Sequence, residues 1–199
     1  MAMVMVVFCC CWALVIQSAL AADGNSQFLD DINQYRISLS LPEFTSNAGA
    51  ACVAQQIAAS YKGTKCSNST GTATVSGEEP QLSESMLSKC NLQLVNVKDG
   101  FLGPTCVPDG TSAASAPKLA AESVTMSQAY TVYVNDSKYV SAGVGSVDNQ
   151  WYVLALATNA SGGNYVNQDL DPSSHAFALS VRFAPISVLA YFVSAFILG

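Results

Sequence analysis

Histidine is almost missing from this chain: its 199 residues contain one, His175. A Ser-His-Asp or Cys-His catalytic arrangement cannot be built inside the folded part without it, nor can a histidine-based metal centre. Charge is also scarce, at 11% of residues, and basic charge is scarcest, with 8 Lys and Arg against 14 Asp and Glu. That balance repels phosphate backbones and argues against nucleic acid as a partner. No Gly-rich phosphate loop is present, because Gly143-Val144-Gly145 lacks the third glycine of a dinucleotide fingerprint. No CxxC or Cys/His spacing favours a metal, no internal repeat is visible, and no cofactor is implied. Asp109-Gly110-Thr111 has the residues of an aspartic-protease triplet in the wrong order and reads as a turn. The acids Asp30-Asp31 and Glu78-Glu79 are adjacent pairs that usually face different directions, so they read as solvated surface rather than as a glycosidase pair. Ser88-Lys89 reads as a helix end beside Cys90. The expectation is a protein that is not an enzyme.

What the chain does have is hydrophobicity, at 50% of residues, with the excess at its two ends. Residues 3–22 carry no charged side chain, and Ala19-Leu20-Ala21 ends that run with small residues spaced for signal peptidase. Residues 1–21 are therefore expected to be a signal peptide, the alternative being a retained signal anchor. Residues 183–199 are uncharged as well, but 17 residues containing Pro185 are short for a membrane helix, and no basic flank follows. Upstream stand Ser173, Ser174, His175 and Ala176, and after Ser174 a spacer of eight residues runs from His175 to Arg182. Small site, spacer and apolar tail are the order of a GPI attachment signal. Ser174 is the expected attachment residue, with Ser173 the alternative, and residues 175–199 would be removed. The mature chain would then contain no histidine.

Signal cleavage would also remove Cys9, Cys10 and Cys11 and leave Cys52, Cys66, Cys90 and Cys106, an even set that implies two disulfides in a secreted chain. Three pairings are possible, and the shortest loops favour Cys52–Cys66 with Cys90–Cys106. N-glycosylation sequons stand at Asn68, Asn135 and Asn159. The middle residue Asp136 makes Asn135 the poorer acceptor.

Apolar spacing predicts helices over residues 27–39, from Asn47 to about Tyr61, over 81–90 and over 127–135. Alternation over 91–96 suggests a hairpin turning at Lys98-Asp99-Gly100 and closing near Cys106. Residues 109–117 read as a loop. Strands are expected over 139–145 and 150–158, the second a buried central strand carrying Trp151 and Tyr152. Trp151, Tyr152, Tyr133 and Tyr139 could line a ligand cleft, but core packing is the plainer reading. Residues 161–174 read as a polar stalk. Helices first and a hairpin late make an α+β protein of helices packed on a small antiparallel sheet.

Two stretches carry a resemblance. Asp31-Ile32-Asn33-Gln34-Tyr35-Arg36, Leu41-Pro42-Glu43-Phe44 and Asn47 before an alanine-rich helix form the first; Tyr139 to Gly145 followed by Trp151-Tyr152-Val153 forms the second. Together they resemble the CAP (SCP/PR-1-like) superfamily of secreted α-β-α sandwich proteins. The four cysteines, Thr105-Cys106-Val107-Pro108, Ser127-Gln128, Asn135-Asp136-Ser137-Lys138 and the C-terminal signal resemble a plant family of uncharacterised GPI-anchored glycoproteins over the whole chain. The resemblance implies a CAP-like extracellular domain over 22–160. It also implies a place on the outer face of the plasma membrane, held by a GPI lipid, and an extracellular protein or cell-wall partner. Ordinary CAP proteins place two histidines and two acids in a cleft; with no histidine in the domain, their metal site does not carry over. Binding or carriage of a small apolar ligand, a lipid or sterol, in a remnant cleft is the alternative function.

Overall fold

In the computed structural model, residues 24–66, 74–75 and 80–167 are described. The expected signal peptide, Asn68, Glu78-Glu79, Ser173, Ser174 and the C-terminal tail lie outside them. No helix among the described residues is long and apolar enough to cross a membrane.

Helix α1 (Gly24–Ser38) turns Phe28, Ile32, Asn33 and Arg36 inward, on the i, i+4 and i, i+3 spacings that share one helix face. After the two-residue strand β1 (Thr45–Ser46), Asn47 caps α2 (Ala48–Ser60) by accepting the Ala50 amide at 2.9 Å. Strand β2 (Thr74–Val75) and the short helix α3 (Glu84–Lys89) follow. Residues Leu94–Asn96 form a 3-10 turn and Phe101–Cys106 form β3. The hairpin expected over 91–96 is therefore absent, and the strand begins only after Lys98-Asp99-Gly100. Of the alternating apolar residues that suggested it, Leu92 is buried while Leu94 and Val95 are exposed.

Helices α4 (Ala116–Met126) and α5 (Gln128–Val134) come next, separated by Ser127 in an extended conformation. Helix α4 occupies residues whose beginning read as loop. Pro117 lies in its first turn, where a missing N–H breaks no helical hydrogen bond, and Ala116, Ala120, Ala121 and Val124 make its inner face. Strands β4 (Tyr139–Val147) and β5 (Trp151–Thr158) form the expected hairpin. Asp148 and Asn149 both have positive φ, 56° and 52°, the signs of the central residues of a type I′ turn, and the Gln150 amide donates to the Val147 carbonyl at 3.1 Å to close it.

The sheet order is β1-β4-β5-β3-β2. It is antiparallel except at one edge, where β1 runs parallel to β4. Central strand β5 sorts its residues by face. Tyr152, Leu154 and Leu156 join Phe28, Ile32, Val124 and Val134 in a core beneath α1, α4 and α5. Val153, Ala155 and Ala157 join Val53, Ala54, Ile57 and Leu87 in a second core beneath α2 and α3. Period-two alternation with apolar residues on both faces thus gives helices on both sides of one sheet, the expected α-β-α sandwich.

The disulfides are Cys52–Cys90 and Cys66–Cys106, each with a Cα–Cα distance of 5.6 Å. The expected short-loop pairing is wrong, and its error has a physical cause. Cys52 sits within α2, and the rest of that rigid helix carries the chain about 12 Å away before Cys66 is reached. Cys90 ends α3, which packs on α2, and Cys66 reaches the end of β3. Doubling a loop adds only about 0.6 kcal/mol of closure entropy, too little to outweigh that geometry.

The segment read as stalk begins inside the domain. Thr158 donates its amide to Gly163 at 2.8 Å, Asp99 donates its amide to Gly162 at 2.9 Å, and Tyr165 donates its amide to Asn96 at 3.2 Å. Tyr165 is 2% exposed and belongs to the core beneath α2. Residues 161–167 are thus part of the folded unit, and 168–174 lie outside the described residues.

Candidate functional site

The residues that gave the sequence its resemblance are structural fasteners. Asn33 accepts the Phe44 amide at 2.8 Å and donates to the Phe44 carbonyl at 3.2 Å, so one side-chain amide closes a two-point clamp on the chain leaving α1. Arg36, 1% exposed, donates through Nε to the Pro42 carbonyl at 2.7 Å and through Nη1 to the Val134 carbonyl, with its guanidinium 3.8 Å from the Phe44 ring centre. Burial lowers its pKa from the ordinary arginine value. Asn47 caps α2 and also donates to the Asn164 carbonyl at 2.9 Å. These side chains hold backbone.

Gly143 and Gly145 serve packing too. A Cβ on Gly143 would lie 1.9 Å from the Ala51 nitrogen, and one on Gly145 would lie 2.3 Å from the Gln55 nitrogen. The alanine-rich α2 therefore rests directly on the backbone of β4. This seam explains the small residues on both partners without any phosphate.

The aromatic candidates mostly sit in the interior. Tyr152 stacks on Phe28 with ring centres 5.7 Å apart. Trp151 stacks on Tyr61 at 4.3 Å and donates its indole N–H to the Thr64 carbonyl at 2.8 Å, fixing the exit of α2 onto β5. Tyr133 remains half-exposed and stacks on Phe101 at 4.1 Å. The residues that would line an apolar cleft are thus engaged with the core or with each other.

Among the carboxylates, Asp30 is exposed while Asp31 is half-buried and its Oδ2 has no hydrogen-bond partner. Burial raises the Asp31 pKa, partly offset by Lys118, with Asp30 and Glu122 adding to the rise. Asp109 accepts from Gln150 Nε2 at the start of β5, and Gly110 has φ of 82°, as suits a turn. Ser88 donates to the Ser85 carbonyl at 3.1 Å inside α3, and no nucleophile–base pair forms there with exposed Lys89. All four cysteines of the described residues are in disulfides. Among the described residues no three His, Cys, Asp or Glu side chains gather as a metal site.

A concave surface among the described residues was missed in the sequence. It is an open groove of about 610 Å³ lined by Lys98, Asp99, Gly100, Lys138, Tyr139, Thr158, Asn159 and Ala160. The topology creates it, because antiparallel pairing brings the start of β4 beside the end of β5, with Tyr139 opposite Thr158, and the start of β3 next to them. Local hydrogen bonds shape its walls. Thr158 Oγ1 accepts the Ala160 amide at 3.2 Å, and the Lys138 amide donates to Asp136 Oδ1 at 2.9 Å. Lys138 Nζ lies 3.5 Å from Asp136 Oδ2 and 4.7 Å from the Tyr139 ring centre. Tyr139, itself 2% exposed, has its pKa raised by burial, and contact with it holds the Lys138 ammonium above its ordinary value. Two of the chain's few lysines thus flank a sequon asparagine.

Of the sequons, Asn159 is exposed in the bend after β5. Asn135 is exposed at the end of α5, where its Nδ2 donates to the Tyr35 hydroxyl at 3.4 Å.

Residues 25–156 match the family model described as the uncharacterized GPI-anchored protein At5g19230-like domain. This chain belongs to that family. One relative, the Arabidopsis thaliana protein named Uncharacterized GPI-anchored protein At3g06035, is 38% identical over 145 residues, covering 72% of this chain and 69% of its own. Two solved structures are similar over part of the chain: an extracellular protein containing an SCP domain from Bacillus anthracis, at TM-score 0.49 and 16% identity, and a cysteine-rich secretory protein from Staphylococcus aureus, at 0.46 and 12%. They align with 67% and 69% of this chain, which spans only 39% of each of them. Within the At5g19230-like family match the domain is bounded at 156, whereas the folded unit here continues through Tyr165.

Proposed function

We propose that this At5g19230-like protein is a GPI-anchored glycoprotein on the outer face of the plasma membrane, acting as a non-enzymatic interaction module towards an extracellular protein or the cell wall. The observation that carries the reading is the coincidence of two independent features. The family match covers residues 25–156, and a small-residue cluster, an eight-residue spacer and an uncharged run over 183–199 follow the fold. Two disulfides between distant elements suit an oxidising compartment. The non-enzymatic part is supported by the engagement of each candidate nucleophile or ligand in structure: cysteines in bridges, Asn33 and Arg36 on backbone, Trp151 and Tyr152 in the core.

The test is chemical analysis of the mature C-terminus. After hydrogen fluoride treatment and digestion before aspartate, the last peptide is expected to be Asp171-Pro172-Ser173-Ser174 carrying ethanolamine. A peptide running on through His175 into the apolar tail contradicts the anchor.

A further inference from the structure

The groove at the end of the sheet contains an acceptor asparagine in its own wall. We infer that Asn159 carries an N-glycan whose first N-acetylglucosamine lies in this groove, as a fixed part of the folded protein and not as a free-swinging surface chain. The inference rests on the secreted-glycoprotein reading above and extends it to one site and one occupant.

Three observations carry it. Asn159 lines a groove of about 610 Å³ together with Lys98, Asp99, Lys138 and Thr158, a mixture of donors and acceptors suited to a ring bearing hydroxyls and an acetamide. The bend that presents Asn159 is held from both sides by the Ala160 amide on Thr158 Oγ1 and the Thr158 amide on the Gly163 carbonyl, so little ordering entropy remains to be lost when a sugar settles. The Asn159 side chain makes no hydrogen bond among the described residues, whereas the Asn135 amide is already donated to Tyr35. Covalent attachment at the groove wall gives the sugar a high effective concentration there, which a free saccharide of the same weak affinity lacks.

The attachment balances as a group transfer. Asn159 Nδ2 forms a bond to C1 of the first N-acetylglucosamine of a lipid-pyrophosphate-linked oligosaccharide. The C1–oxygen bond to the pyrophosphate breaks, the lipid pyrophosphate leaves with that electron pair, and one amide proton passes to a base of the transferase.

The experiment uses the full chain made in plant cells under a mannosidase inhibitor and extracted in detergent, so it does not depend on release of the anchor. Thr70→Ala and Ser137→Ala remove the other two sequons in every sample. Three forms are compared: fully glycosylated, trimmed by endoglycosidase H to a single N-acetylglucosamine, and unglycosylated through Ser161→Ala, which leaves Asn159 in place. The trimmed form is expected to melt with the full form, and Ser161→Ala roughly 3 °C lower. Adding Lys98→Ala is expected to lower the melting point of the trimmed form and leave that of Ser161→Ala unmoved. An unmodified Asn159 in the peptide mass spectrum overturns the inference. So does equal melting of all three forms, or a loss on trimming as large as the loss in Ser161→Ala. None of these outcomes bears on the anchor, which the C-terminal peptide tests separately.

Discussion

Arg36 uses its buried side chain to fasten separate parts of the chain to one another. A guanidinium buried to 1% exposure against the Phe44 ring, with two backbone carbonyls as acceptors, joins α1 to the Pro42 turn and to the end of α5. Arg36→Met keeps the bulk and leaves both carbonyls unpaired. It is expected to destabilise the domain by about 3 kcal/mol, read from urea unfolding followed by tryptophan fluorescence. A loss under half that size would mean water or neighbouring groups replace the clamp. Asp31 behaves in the opposite sense. Its pKa is raised on folding, so the folded state binds its proton more tightly than the unfolded chain, and stability falls as pH rises from the unfolded value towards the raised one. Asp31→Asn is therefore expected to melt higher than the parent at pH 7 and to lose part of the fall in stability across the acidic range. A parent that is more stable than Asp31→Asn at pH 7 contradicts the account of Asp31 as an unpaired, partly buried charge.

At the scale of elements, the seam between α2 and β4 sets the tolerance of the fold. Added Cβ atoms at Gly143 and Gly145 would meet α2 backbone, which cannot rotate away as a side chain could. Gly143→Ala is expected to cost about 3 kcal/mol and to lower secretion accordingly. The disulfides close 38 and 40 residues of sequence separation, and removing either is expected to cost about 4 kcal/mol. Non-reducing digestion should yield peptides joining Cys52 to Cys90 and Cys66 to Cys106; peptides joining Cys52 to Cys66 contradict the fold. What was legible here followed from strong local signals. Asn47 announced α2, and the β4–β5 hairpin announced itself through continuous apolar residues around a polar turn. Helix α4 was hidden because its inner face is made of alanines and its proline, which marks a first turn, reads equally well as a loop. The cysteine pairing was hidden because loop length is a weak term beside the direction of a helix.

The molecule as a whole ends later than its composition suggests. Ser161-Gly162-Gly163 resembles a linker, yet Tyr165, the sole aromatic between 161 and 174, is inserted beside Gly49 and Gly100. That lone aromatic was the available signal, and the polar residues around it obscured it. The groove had no signal of comparable strength, since its wall residues come from three separated turns that only the strand pairing brings together. Loss of the Tyr165 side chain is expected to cost about 4 kcal/mol, by emptying a site that neighbouring backbone cannot fill. A chain stopped after Asn167 should melt as the whole ectodomain does, whereas one stopped after Ala160 should melt well below it. Equal melting of the two would return residues 161–167 to a stalk. The lipid anchor is open to direct measurement. With an epitope tag placed after Ala22, intact plant cells are treated with phosphatidylinositol-specific phospholipase C beside a control GPI protein. The account predicts release of a glycosylated, tagged product into the medium. Retention on the cells while the control is released, with no ethanolamine on the C-terminal peptide, would contradict it.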